Sequence, residues 1–147
     1  MALEPIPKIL VVDRDAFSLK LYERPENSYE FEVAVKFPVA VGAKGFQTPR
    51  GLYLINTKAK NPDWQMPNSE WVPKELRGTI VPGGAPNNPI KSRWLGITNP
   101  IDGVGIHGTA DDASIGSAAS HGCVRMHIPD VIELFDLVPK YTPIYIA

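Results

Sequence analysis

Residues 106–127, IHGTADDASIGSAASHGCVRMH, hold all three histidines and the only cysteine of the 147-residue chain. A cysteine thiol is a poor nucleophile until it loses its proton. A histidine within hydrogen-bond reach, or a cluster of backbone N–H groups, promotes that loss by lowering the thiol pKa. Attack on a carbonyl also needs donors aimed at the developing oxyanion, and backbone N–H groups in a glycine-containing turn can supply them. Ser120-His121-Gly122-Cys123 has that chemistry, with a glycine directly before the candidate nucleophile Cys123. His107 lies sixteen residues earlier, far enough to return from a neighbouring strand as the base.

The ordered set His107-Gly108, then Ser120-His121-Gly122-Cys123, then Arg125 two positions on, resembles the signature of the L,D-transpeptidases. These are the YkuD-domain family of bacterial peptidoglycan enzymes. Thr48-Pro49-Arg50-Gly51 and Asn88-Pro89-Ile90 also resemble recurrent segments of that family, and the likeness runs over roughly residues 8–146. It implies acyl transfer through a thioester. Cys123 attacks the carbonyl of the L-centre that precedes a terminal D-residue, His107 takes the thiol proton, and the Gly108 carbonyl orients the imidazole as an Asp does in serine triads. The Gly122 and Cys123 amides form the oxyanion hole. In the family the donor is a tetrapeptide stem of peptidoglycan, cut between meso-diaminopimelate and D-alanine. An acceptor stem gives a 3→3 cross-link, and water gives an L,D-carboxypeptidase. Acylation by carbapenems is also implied, and no cofactor is.

The other polar residues of the stretch carry two readings each. His121, if locally extended, points to the same side as Cys123 and contacts substrate or assists the thiolate. Arg125 shares that side, where a guanidinium suits a substrate carboxylate or an ordering bond to the cap. Ser120 either serves the substrate near the thiolate or stabilises the turn. His127 is read as structural or exposed, and Asp111 and Asp112 as loop or cap residues. A zinc site from three His and one Cys fits poorly, because His121-x-Cys123 lacks the usual spacing. A wall-binding module that holds peptidoglycan without turnover is the alternative of a different class, and a depressed thiol pKa would speak against it.

The composition is that of one globular domain over residues 1–147, with 44% hydrophobic and 21% charged residues. A net charge of −1 and the lack of a basic run argue against nucleic acid or an anionic membrane as partner. No apolar run approaches the roughly 20 residues that span a bilayer. The N-terminus MALEPIPKILVVD has no signal-peptide pattern. Family resemblance nevertheless implies the cell envelope, where the substrate is.

The elements that must position the stretch are mostly strands. Lys8–Asp13 and Phe17–Glu23 form a hairpin, and 29–40 alternates as a long strand with Tyr29, Phe31, Val33, Val35 and Phe37 on a buried face. Leu52–Thr57, Arg93–Thr98 and Val104–His107 are further strands, the last delivering His107 from its end. Residues 59–90 hold six of the fifteen prolines together with Trp64 and Trp71, and form a loop that either walls the site or packs as surface. Ile128–Val138 is a helix with Pro129 in its first turn. Residues 142–146 close the chain as a strand that Pro143 marks as an edge or a strand start. The fold class is mainly β: two packed mixed sheets, a β-sandwich-like L,D-transpeptidase fold, with one or two short helices.

Overall fold

A computed structural model describes residues 7–97 and 103–147. The described residues are mainly β with one α-helix. The N-terminal hairpin pairs β1 (Lys8–Asp13) with β2 (Ser18–Glu23). Asp13 Oδ1 accepts the N–H groups of Asp15 and Ala16, both at 3.0 Å, so one carboxylate folds the turn that the polar run 14–16 announces. Alternation then buries Leu10, Val12, Leu19 and Leu21 on one face.

Strand β3 (Glu32–Pro38) follows on β2, and a short β4 (Val41–Gly42) comes next. The long alternating strand expected over 29–40 is shorter and less buried than its pattern. Tyr29 is fully exposed, and Phe31 and Val33 are about half exposed. A bulge turns Val33 out: Leu21 pairs with Val35 but Tyr22 with Val33, so Ala34 is an extra residue and the buried set ends at Val35, while Tyr29 and Phe31 precede the strand altogether. β3 is also the last strand of its sheet, so nothing covers that end.

Strand β5 (Gly51–Lys60) links the two halves of the fold. Its first half pairs with β12 (Pro143–Ile146) and its second with β8 (Lys91–Ile97). Between β5 and β8 lies the proline-rich excursion, which carries its own two-strand ladder, β6 (Trp64–Gln65) and β7 (Ile80–Val81). Strands β9 (Gly105–Thr109), β10 (Ala118–Ser120) and β11 (Val124–His127) carry the histidine–cysteine stretch. The main sheet runs β11-β9-β8-β5-β12-β1-β2-β3, so hydrogen bonding is continuous through β5. Thr98, the last residue of the strand expected from Arg93, lies outside the described residues. Pro143 starts an interior strand, where its missing N–H falls at the first position.

Helix α1 (Ile128–Leu137) has Pro129 in its first turn and packs on β8, β9 and β11 through Val131 and Leu134. Its last carbonyls are taken by two sheet lysines: Lys58 Nζ donates to Phe135 O at 2.6 Å and Lys8 Nζ to Leu137 O at 2.7 Å. Cations at a helix C-terminus are favourable there. No helix among the described residues is long and apolar enough to cross a membrane.

Candidate active site

The site begins with the parallel pairing of β9 and β11. Their register puts Val124 beside Ile106 and Arg125 beside His107. Val124 and Met126 are fully buried in the core, so Cys123 and Arg125 project from the opposite face. His107 thus lies next to Arg125, and Cys123 immediately precedes the paired strand on the same side. All three open into one cleft of about 570 Å³, walled by Trp64, Trp71 and Trp94.

His107 is 6% exposed, and its Nδ1 lies 2.8 Å from Gly108 O. A carbonyl oxygen can only accept, so Nδ1 carries the proton and Nε2 keeps the lone pair. Burial, reinforced by the Arg125 charge and opposed by the Gly108 bond, holds the imidazole pKa down to about 4. His107 is therefore neutral at neutral pH, the form a base needs. Glycine is required at 108 by space: a Cβ would lie 2.5 Å from Lys91 O and 2.9 Å from Val131 Cγ1.

Cys123 is half-buried, and its Sγ donates to Gly103 O at 3.4 Å. Burial pushes the thiol pKa above its ordinary value, while the Gly105 backbone and Arg125 pull it partly back. The resting site therefore does not give the depressed thiol pKa that would speak against a wall-binding module. Among the described residues no hydrogen bond or ion pair joins a cation to the sulfur, and the cleft removes water from it. Both groups rest neutral in the one cleft, with the thiol proton directed at Gly103 O.

The turn carrying Cys123 is held from two sides. Ser120 Oγ donates to Cys123 O at 2.6 Å and accepts the Gly122 N–H at 3.1 Å. Ser120 is thus the clasp of the turn, and its one proton is committed there rather than offered to a substrate. Gly122 has φ +127°, a conformation that L side chains rarely adopt. From the other side, Thr48 Oγ1 donates to Gly122 O at 2.8 Å and accepts the Gly42 N–H at 2.9 Å. Thr48 is completely buried. The sequence offered it only as part of a recurrent segment, because its partners lie six and 74 residues away. Thr48→Val keeps the shape and strands two buried backbone groups, each costing about 1–3 kcal/mol. A denaturation midpoint lowered in Thr48→Val and restored in Thr48→Ser is the expected outcome.

His121 is exposed, but its ring is flanked. Trp71 stacks on it at 3.9 Å between centroids and 5° between planes, and Phe46 meets it edge-on at 4.8 Å. Burial and the Arg125 charge lower its pKa. The excursion therefore walls the site, the first of the two readings of residues 59–90. His127 pairs on the surface with Asp112 at 2.7 Å, outside the cleft. Asp112 starts a short 3-10 turn, with Asp111 as its cap residue. Among the described residues, no three His, Cys, Asp or Glu side chains converge as a metal site.

Three comparisons bear on this geometry. Residues 7–146 match the family model described as the L,D-transpeptidase catalytic domain, YkuD. A protein named putative L,D-transpeptidase YqjB from Bacillus subtilis is 36% identical over 76% of this chain and 58% of its own length. The putative L,D-transpeptidase YkuD of Bacillus licheniformis is 34% identical over 98% of this chain and 68% of its own. The chain thus spans about three fifths to two thirds of these two relatives. In fold it is similar to the LD transpeptidase LdtMt1, solved in complex with imipenem. That likeness has a TM-score of 0.71 at 20% identity, over 97% of this chain and 59% of that one. The histidine–glycine strand, the serine-clasped cysteine turn and the match along almost the whole chain agree: this protein belongs to the L,D-transpeptidase catalytic-domain (YkuD) family.

Proposed function

We propose that this chain acts as one catalytic domain of an L,D-transpeptidase on peptidoglycan stem peptides, with Cys123 as nucleophile and His107 as base. The observation that carries the proposal is the β9–β11 register, which brings His107, Arg125 and Cys123 to one cleft. The Gly108 bond, in addition, leaves Nε2 of His107 free to take a proton.

In this scheme the Cys123 sulfur bonds to the carbonyl carbon of the L-centre while its proton passes to His107 Nε2. Because both groups rest neutral, transfer and attack are coupled. The oxyanion takes the Cys123 N–H. The Gly122 N–H joins only by releasing Ser120 Oγ. The C–N bond to the terminal D-residue then breaks, and the leaving amine takes the proton back from His107. An acceptor amine attacks the thioester, forming the new amide and freeing the thiol. A stem acceptor gives a 3→3 cross-link, and water gives the carboxypeptidase outcome. Arg125 is the site's cation for a substrate carboxylate, and His121, held between Trp71 and Phe46, borders the cleft as a peptide contact. The imipenem complex of the similar structure supports carbapenem acylation at Cys123. Such chemistry belongs on the wall side of the cell envelope.

The test is mass spectrometry of a diaminopimelate tetrapeptide muropeptide after incubation with the protein, with Cys123→Ala alongside. Dimers joined through diaminopimelate, absent with the variant, are the expected result. Tripeptide alone would assign water as the acceptor. No Cys123-dependent change would leave the cleft as a wall-binding module.

A further inference from the structure

The excursion between β5 and β8 is bonded mainly to itself. Asn88 Nδ2 reaches the carbonyls of Pro62, Val81 and Pro82, Asp63 Oδ1 accepts the Gly83 N–H at 2.8 Å, and Arg77 Nε donates to Val72 O at 2.9 Å. Its described hydrogen bonds to the rest of the fold lie at its root. There Asn61 N donates to Ser92 O, and Lys91 Nζ donates to the carbonyls of Ala85 and Pro86. At the far end Trp71, 37% exposed, lays its ring flat on His121, two residues before the nucleophile. Among the described residues, no hydrogen bond or ion pair joins 62–90 to 103–127. The stack is the specific contact across the cleft mouth.

We propose that Trp71 is a positioning residue: by stacking on His121 it latches the excursion across the cleft and fixes the wall against which the donor peptide lies. This rests on the assignment of Cys123 and its cleft as the reactive site. The latch is aromatic and half solvated, so it opens without breaking a buried hydrogen bond. An extended peptide can enter between Trp71 and Trp94 and be held when the stack re-forms. Phe46 on the other side of His121 keeps that ring oriented while the latch is open. Trp71 touches His121 and not the sulfur, so its loss acts on binding and access rather than on bond making.

Two measurements on the intact chain test this. In Trp71→Ala the KM for the donor tetrapeptide rises about three- to tenfold, the range of one aromatic stack, while kcat changes little. Alkylation of Cys123 by iodoacetamide speeds up, because the cleft is no longer closed. His121→Ala removes the latch from the other side and speeds alkylation likewise, whereas Trp71→Phe keeps a stacking ring and restores both values. Equal alkylation rates and equal KM in wild type and Trp71→Ala would overturn the latch. If wild type turns over no donor, the functional proposal fails instead, and the alkylation comparison still decides the latch.

Discussion

Turnover is expected to fall by about two to four orders of magnitude in His107→Asn. An asparagine amide can still donate to Gly108 O from the place of Nδ1, so the strand end stays tied. What disappears is the Nε2 lone pair that takes the thiol proton. Cys123→Ala loses turnover as well, and the double variant is expected to be no worse than the more damaging single one. Residues that act as one unit are not additive. Steady-state kinetics on the three variants check this, and a fully additive double loss would separate His107 from the sulfur chemistry.

The same substitution has a signature without substrate. Native His107 titrates at about 4, below the ordinary value of about 6.5 for an unfolded histidine. The unfolded chain therefore binds this proton first as pH falls. The group's contribution to stability is complete above about pH 6.5 and is lost as pH falls toward 4, a span worth roughly 3 kcal/mol. His107→Asn has no such proton, so its stability falls less between pH 7 and pH 4.5. Denaturant midpoints of wild type and variant at both pH values read the difference directly. The Cys123 thiol, raised by burial, should show alkylation that keeps climbing past the ordinary thiol range. A plateau between pH 5 and 7 would mean a thiolate–imidazolium pair instead.

What the sequence discloses here is local. Asp13 folding its own turn, the alternation of β1 and β2 and the stripe of α1 are contacts between near neighbours, and residue order carries them. The histidine–cysteine set is legible because its members cluster along the chain. Two features escape for the same physical reason. The Thr48 hydroxyl matters because Gly122, 74 residues on, needs a donor for its carbonyl. Trp71 matters because His121 comes to lie beneath it. Nothing local to either residue encodes its partner. Alternation predicts a buried Val33 because it cannot register a bulge, and one extra residue, Ala34, reverses the face that Val33 takes; Tyr29 and Phe31 continue the pattern in residue order but precede the strand. The desolvation that raises the Cys123 pKa is likewise a property of the assembled cleft, which residue order does not display.

Asn88→Asp, a change of one nitrogen to oxygen, is expected to open the excursion. Asn88 is 1% exposed and its amide is fully used. Nδ2 lies 3.0 Å from Pro62 O, 3.1 Å from Pro82 O and 3.3 Å from Val81 O, while Oδ1 accepts the Ile90 N–H at 2.9 Å. One side chain therefore binds both ends of a segment in which six prolines carry no backbone N–H. An aspartate would turn a second oxygen toward three carbonyls with no donor between them. Leaving such a buried charge uncompensated costs about 3–5 kcal/mol. The loss falls on the excursion first, since the sheet beneath keeps its own ladders. Trypsin should cut at Lys74 or Arg77 in the variant under conditions that spare wild type, and Trp71 should leave His121, with turnover falling as the wall is lost. The effect has a pH sign. Burial among carbonyls raises the pKa of the new carboxyl, so the variant is more closed in acid, where the group is protonated and donates once, and opens as pH rises. Protease resistance in Asn88→Asp that did not depend on pH would show that the excursion is held by something other than this one amide.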